Sequence, residues 1–544
     1  MPTRKTRTTR APQRKSNRKP AGSGAFRLTY ATMFDPPELL HRSFERALAD
    51  VKSRLGRTWP MLIGGEERLA SETFADTSPI NYSWVLGNFQ KGTSRDARDA
   101  IAAARAAFPA WSAMPWRKRV ALLRRVARII EQRVYEFAAI DSLEVGKNRM
   151  EALADVQETA DLINYYCDQM ERSDGFAKPL RSDPLKGYRA RNLSVLRPYG
   201  VWVVISPFNF PVALAGGPAG AALVAGNTVV FKPASDTPWT GYFLAKCFLD
   251  AGLPRGVFNF ITGPGSTVGN ELMSSPDVDG ITFTGSYDVG MRIIRTFASG
   301  ASPRPCIAEM GGKNPVIVSR RADLDRAALG VYRSAYGLQG QKCSAASRIY
   351  VERPVKDAFV ARLLALLEQT RIGDPTLRDN WLGPVINEGA ARDYEGFVSE
   401  LRSSGTILFG GRRLDEGDLA NGAFCAPTLA EAPLDHRLWK HEMFLPIAMV
   451  HAVDSLDEAM RLANDVNYGL TAGFYGSAKE AQWFFDHIQA GVCYANRPQG
   501  ATTGAWPGFQ PFGGWKGSGS TGKSAGGLYY VQQYMREQSR TLVS

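Results

Sequence analysis

The sequence predicts an α/β protein built on parallel sheets with helices on both sides. Three observations carry that expectation. Short, apolar, mostly β-branched runs recur, as in Val201–Ile205, "NTVVFKP", "VFNFITG" and "DGITFTGS", and such runs mark strands buried on both faces. Glycine loops and helical stretches alternate with them, and a second alternating region runs from "NPVIV" to "GVCYAN". Finally, a hydrophobic fraction of 44% with 22% charged residues, over 544 residues, suits a soluble chain with a large core and more than one domain.

In chain order, the first twenty residues carry eight Lys or Arg and no acid, so the net charge of +13 falls to about +5 without them. The segment is too polar to bury a core and is expected to be a solvated tail. It has neither the apolar run of a secretory signal nor the apolar face of a mitochondrial presequence, which points to the cytoplasm ahead of the mitochondrial matrix. A helix follows, with Ser94 as its N-cap and Pro109 marking its end. Val120, Leu123, Val126, Ile130, Val134 and Phe137 then fall at three- and four-residue steps, as on one helix. Its basic run, Arg117, Lys118, Arg119, Arg124, Arg125 and Arg128, reads as a solvated face, because no aromatic residues interleave it as nucleic-acid stacking would require.

Residues 200–231 contain no Asp, Glu, Lys or Arg and are long enough to span a bilayer. Pro207, Pro211, Pro218 and four glycines argue against one membrane helix. The stretch divides into a strand, the loop "SPFNFP", a buried helix over 212–224 and a second strand, a βαβ unit with Asn209 at the end of its first strand. Six cysteines without CxxC or metal spacing are expected to be free thiols in a reducing compartment, and five unpaired histidines give no zinc pattern.

Four loops carry candidate chemistry. "TGPGSTVG" holds Gly263, Gly265 and Gly269, one residue longer than the dinucleotide fingerprint. "FTGS" ends a strand at Gly285 and Ser286, where a following helix N-terminus offers free N–H groups. In "IAEMGGKNPVIV" Glu309 precedes two glycines and a buried strand, which places it at the surface or in a cleft. In "YGLQGQKCSAASRIYV" Cys343 sits among small and polar residues after Lys342, whose charge can favour a thiolate.

Taken together, "PFNFP", "FTGS", "EMGGKNPVIV", "GQKCSAASR", "EMFLP" and "PFGGWKGSG", in that order, resemble the aldehyde dehydrogenase superfamily over about residues 60–540. The resemblance implies a Rossmann-type NAD-binding domain (25–178 and 199–309) after a tail (1–24), and a catalytic domain (310–495). It further implies a substrate-pocket loop (496–524) and a small β oligomerisation flap (179–198 and 525–544). By motif position Cys343 is the implied nucleophile, Glu309 the general base and Asn209 an oxyanion donor. A thiolate would attack the aldehyde to give a thiohemiacetal, hydride would leave for the nicotinamide, and Glu309 would activate water against the thioester. Each oxyanion donor is worth roughly 10²–10³ in rate. The implied cofactor residues are Ser206, Pro207, Phe208, Lys232, Ser235, Gly265, Gly269, Gly285, Ser286, Glu442 and Phe444. Leu445 stands where the motif usually has Gly, and Ser235 stands where NAD-preferring members often have an acid, which leaves NADP open.

A finer resemblance, in "AEMGGKN", "GLQGQKCSAASR" and "TTGAWPGFQPFGG", is to 1-pyrroline-5-carboxylate dehydrogenases, which oxidise L-glutamate γ-semialdehyde to glutamate in proline catabolism. It implies a carboxylate anchor at Ser344, Gly504 and Ala505, with Phe210 and Phe512 flanking the aliphatic part. The segment between Arg497 and Thr503 is a few residues longer than is usual. Residues 183–196 and "YMREQSRTLV" resemble oligomerisation strands, which implies a dimer or an assembly of dimers. The alternatives are a dehydrogenase for another semialdehyde or an aromatic or aliphatic aldehyde, and a non-enzymatic polyanion binder acting through residues 1–20.

Overall fold

The computed structural model describes residues 28, 29, 32, 33, 36–184, 186–498 and 506–544. The basic tail, and Gly504 and Ala505 of the expected anchor, lie outside the described residues.

Two seven-stranded sheets form the frame. In the first, the order is Cys306–Glu309, Gly280–Thr284, Val201–Ile205, Thr228–Lys232, Phe258–Phe260, Met61–Ile63 and Glu66–Arg68. The first five strands run parallel and the last two are antiparallel additions. In the second, the order is Thr406–Phe409, Thr428–Glu431, Ile447–Val453, Ala346–Glu352, Asn314–Val318, Thr471–Tyr475 and Val492–Ala495. Only its Thr406–Phe409 edge is antiparallel. The chain crosses between sheets through Met310–Lys313, so Glu309 ends the edge strand of one sheet just before the other begins.

The charge-free stretch folds as the βαβ unit expected of it. Its strands pair in register from Val201↔Thr228 to Ile205↔Lys232, and the helix Ala213–Ala225 ends on Gly226 at φ 107°. The glycines that weaken this helix have a packing use. A Cβ at Gly217 would lie 2.8 Å from Leu162 Cδ1, one at Gly220 would lie 2.8 Å from Ile163 Cγ1, and one at Gly216 would collide with Thr159. The helix Arg149–Arg172 therefore lies directly on Ala213–Ala225, with no room for side chains between. Among the described residues no helix is long and apolar enough to cross a membrane.

Three local expectations need correction. The first long helix is Ser94–Ala113, capped by Thr93 in a capping box with Asp96, and Pro109 lies inside it. It ends where Met114, preceding Pro115, is driven to ψ 132°. The next apolar series is two helices, Trp116–Gln132 and Val134–Val145, broken at Arg133. The basic run on the first of these is not wholly solvated. Arg119 is buried, donating from Nε to Val224 O at 3.2 Å and from Nη1 to Met114 O at 2.5 Å, and Arg124 pairs with Asp168 and Glu171.

The polar strand Ala190–Pro198 pairs antiparallel with Met535–Val543 over nine residues, and Ala177–Pro179 adds a third strand. The two strands expected to pair across subunits thus pair first with each other, and among the described residues Met535–Val543 keeps one open edge. All six cysteines are free.

Candidate active site

The candidate residues collect between the carboxyl ends of the first sheet's strands, the usual place for ligands in open parallel sheets, and the loops that lead into strands of the second, such as Cys343 ahead of Ala346–Glu352. Asn209 follows the strand Val201–Ile205 and is buried. Its Nδ2 donates to Gln341 O at 2.9 Å, two residues before Cys343. That bond fixes the amide beside the cysteine loop and uses one of its two N–H groups. The loop is fastened from below: Asn314 Nδ2 donates to Cys343 O at 2.7 Å and to Ala345 O at 2.9 Å, and Asn314 Oδ1 accepts from Thr471 N at 3.0 Å. A side chain at Gly312 would collide with Cys343 O, so glycine there lets the two loops touch.

Cys343 and Glu309 line one inner cavity with Leu470, Phe512, Tyr530 and Thr284. Cys343 also lines an outer, largely apolar cavity with Phe210, Ser344, Trp506, Gln510, Phe512 and Glu158. The two spaces share Leu162, Leu214, Cys343, Phe512 and Ala525 in their walls, so Cys343 lines both a largely apolar cavity and one that holds the buried Glu309 carboxyl. Burial pushes the Glu309 carboxyl up to about 8, and the Gly514 N–H opposes this. Burial, with Glu442 and Glu309 as neighbouring acids, pushes the Cys343 thiol up to about 12, against the pull of the Cys343 and Ser344 backbone N–H groups. The charge of Lys342 does not prevail as the sequence suggested. Its Nζ turns away to Arg333 O at 3.4 Å and towards the buried Glu151. A thiolate at Cys343 must therefore form together with bond making, with a base at hand.

The expected cofactor residues line the carboxyl edge of the first sheet. Ser206 N donates to Lys232 O at 3.2 Å, and Gly285 N donates to Glu309 O at 3.1 Å. Lys232 is buried, its amine is drawn down to about 8 by burial, and it donates to Pro233 O at 3.1 Å. Gly265–Gly269 form one π-helical turn, and an added Cβ at either end residue would face open space. Ser286 is the N-cap residue of the helix Tyr287–Ala298. Glu442 accepts from Gly312 N at 2.8 Å, and a side chain at Gly311 would strike its carboxylate. Phe444, at φ 56°, meets the Phe208 ring edge-on at 5.8 Å, and Leu445 packs buried beyond it. Pro207 is half-buried in the same loop. Ser235 is exposed and brings no charge, but the next residue, Asp236, is held by Asn387 Nδ2 at 3.0 Å.

Sequence reasoning passed over several wall residues. Glu158 and Leu162 come from the helix Arg149–Arg172, and Trp506 and Gln510 come from the far end of the pocket loop. The polar groups of those two are tied outward: Trp506 Nε1 donates to Asp161 Oδ2 at 2.7 Å, and Gln510 bridges Arg497 Nη1 and Cys493 O at 2.7 and 3.0 Å. The available signal was Glu158, an acid one turn before Leu162 on the helix Arg149–Arg172.

A sequence model of the aldehyde dehydrogenase family matches residues 67–539. The 1-pyrroline-5-carboxylate dehydrogenase of Geobacillus sp. (strain WCH70) is 37% identical over 502 residues, 91% of this chain and 95% of that protein. That of Geobacillus thermodenitrificans (strain NG80-2) is 38% identical over 498 residues, 90% of this chain and 94% of that protein. A crystal structure of 1-pyrroline-5-carboxylate dehydrogenase from Thermus with bound NAD matches with a TM-score of 0.89 at 35% identity, covering 96% of this chain and 100% of that one. The chain belongs to the aldehyde dehydrogenase family.

Proposed function

We propose that this enzyme oxidises L-glutamate γ-semialdehyde, the open form of 1-pyrroline-5-carboxylate, to L-glutamate with NAD as hydride acceptor. The observation that carries the chemistry is that Cys343 lines two cavities, one with the Glu309 carboxyl in its wall and the other largely apolar. The substrate rests on the relatives, which carry the name of that activity over nine-tenths of the chain.

The residues at the sheet edge fit a dinucleotide. Ser206 Oγ is buried without a hydrogen-bond partner among the described residues, the Lys232 amine donates to Pro233 O with the Asp236 carboxylate in its neighbourhood, and Gly265 and Gly269 leave space for phosphate oxygens. Lys232 and Glu442 would hold the two riboses, and the Tyr287–Ala298 N-terminus would face the pyrophosphate. When bound, NAD accepts the aldehyde hydride.

The chain's own residues do the rest. Cys343 Sγ bonds to the aldehyde carbon as its proton passes to water, and the new oxyanion takes hydrogen bonds from the second N–H of Asn209 Nδ2 and the Cys343 backbone N–H. Once hydride has left, Cys343 carries the acyl group as a thioester. Glu309 as carboxylate takes a proton from water, and the hydroxide releases glutamate and the thiol. Ser344 is 1% exposed, lines the outer cavity and has no partner for Oγ among the described residues, so it can donate to the substrate carboxylate. The same reading takes the enzyme as a homo-oligomer.

Steady-state assays with glutamate γ-semialdehyde, succinate semialdehyde, benzaldehyde and butanal, each with NAD and NADP, test the proposal. Glutamate γ-semialdehyde with NAD should give the highest kcat/KM. A clear preference for another aldehyde would overturn the substrate and keep the reaction.

A further inference from the structure

A buried charge cluster lies behind the cavity wall, outside the chemistry described above. Lys147 is fully buried, with Nζ 3.0 Å from Asp141 Oδ2 and 2.7 Å from Asp155 Oδ2. The same ammonium stands 4.7 Å from the centroid of the Phe210 ring, and that ring lines the outer cavity with Cys343. Asp155 Oδ1 accepts the backbone N–H of Ala213 at 2.8 Å. Ala213 opens the helix Ala213–Ala225, and residues 209–212 are the turn that leads into it. Asp155 itself lies in the helix Arg149–Arg172, which also supplies Glu158 and Leu162 to the cavity wall.

Burying a lysine between two carboxylates in a dry interior is costly, and apolar residues of the same volume would often serve stability equally well. Two contacts leave this cluster, and they reach the two ends of one short turn: the ring of Phe210 and the N–H of Ala213. A cation against an aromatic face restricts where the ring can sit, and a carboxylate on a helix N-terminal N–H fixes where the helix starts. Asn209, one residue before Phe210, inherits that position.

We propose that Lys147 is a positioning residue for aldehyde oxidation: with Asp155 it clamps residues 209–213 so that the Phe210 ring and the Asn209 amide meet the substrate at Cys343. This rests on the proposed function only in taking the cavity at Cys343 as the aldehyde site.

The test is a cycle of Lys147→Met, Phe210→Leu and the double variant. The measurements are kcat, KM for the aldehyde, Kd for NAD and the titre of reactive Cys343 with iodoacetamide. Lys147→Met should raise aldehyde KM by roughly tenfold, the scale of a desolvated cation–π contact, and lower kcat per titrated site. Kd for NAD should stay within about twofold, since the clamp does not touch the sheet edge (an estimate at the scale of uncoupled sites). In the Phe210→Leu background the KM effect of Lys147→Met should shrink to about twofold, because the ring it acts through is gone. A purely structural role gives a different pattern: a lower Cys343 titre, with kcat and KM per titrated site unchanged. That pattern would overturn the inference, as would equal KM effects in both backgrounds or a failure of Lys147→Met to yield folded enzyme in either. Asp155→Asn keeps an acceptor for Ala213 N–H and should change KM less than Lys147→Met; a larger change would also overturn it. Wild-type enzyme inactive on every aldehyde would instead overturn the proposed function.

Discussion

At the scale of single residues, burial sets the protonation of the site and gives it a pH signature. Glu309 is held neutral up to about pH 8 by burial, so below that value it cannot take a proton from water. Where thioester hydrolysis limits turnover, kcat should rise with pH through about 8 and then level. Glu309→Gln should flatten that limb and leave a burst of NADH equal to the enzyme, followed by slow turnover in stopped flow. An unchanged steady-state rate would remove Glu309 from the base role. The same shift has a stability consequence. Between the ordinary 4.5 of an unfolded carboxyl and about 8, the native state holds a proton that the unfolded chain has lost. Native stability from this group therefore falls as pH rises through that window. Glu309→Gln should gain thermal stability over wild type on going from pH 5 to pH 9, read as the difference in Tm. Cys343→Ser should abolish oxidation while NAD still binds. Ser344→Ala should cost about tenfold or more in kcat/KM for glutamate γ-semialdehyde, since a hydrogen bond to a charged group is worth about 1.5–3 kcal/mol, and little for butanal. Glu309 and Asn209 were legible as polar residues at or after the end of an apolar strand, and Cys343 as a cysteine among small and polar residues just before one, each in a motif that fixes its neighbours. Glu158, Trp506 and Gln510 were not, because they reach the cavity from a helix face and a loop end that no local spacing connects.

At the scale of elements, the strands were easier to read than the helix ends. Val201–Ile205, Thr228–Lys232 and Gly280–Thr284 stand out because both faces are buried and, Lys232 apart, they carry no charged residue. The ends of Ser94–Ala113 were misread because a proline inside a helix looks like a terminator, whereas the stop comes from Pro115 acting on Met114. The break at Arg133 left no mark, since Val134 and Phe137 continue the apolar spacing across it. The N-terminus of the first helix yields a direct test. Thr93 accepts from Asp96 N, and Asp96 Oδ2 accepts from Thr93 N at 2.8 Å. Thr93→Ala should cost about 1 kcal/mol, read from the midpoint of urea unfolding, with catalysis intact. Gly220→Ala tests the tight helix pair. Its new methyl would stand 2.8 Å from Ile163 Cγ1, so overpacking should cost about 1–3 kcal/mol. Because the displaced helix also carries Leu162, the aldehyde KM should rise with it, unlike the Thr93 variant.

At the scale of the whole molecule, two features reach beyond the catalytic frame. The basic residues 1–20 have almost nothing apolar to dock, so a chain beginning near Phe26 should keep its kcat, and only the intact chain should bind polyanions at low salt. The second feature is the three-stranded sheet of Ala177–Pro179, Ala190–Pro198 and Met535–Val543. Within one chain it has little to bury: Leu180, Tyr188, Leu542 and Val543 are exposed, and of Met535–Val543 only Met535 is covered. A small sheet without its own core is marginal in water, and an open, uncovered edge strand is a ready template for another chain. The register of Met535–Val543 with Ala190–Pro198 runs through nine residues, to Val543. The enzyme should therefore sediment as a dimer or an assembly of dimers at micromolar concentration. A chain ending at Gln538 should sediment as a monomer and lose thermal stability, because Ala190–Pro198 then loses most of its partner. Its Cys343 titre should persist at moderate temperature, since no residue lining either cavity at Cys343 comes from the removed segment. A full-length chain that sediments as a monomer would overturn this reading of the sheet.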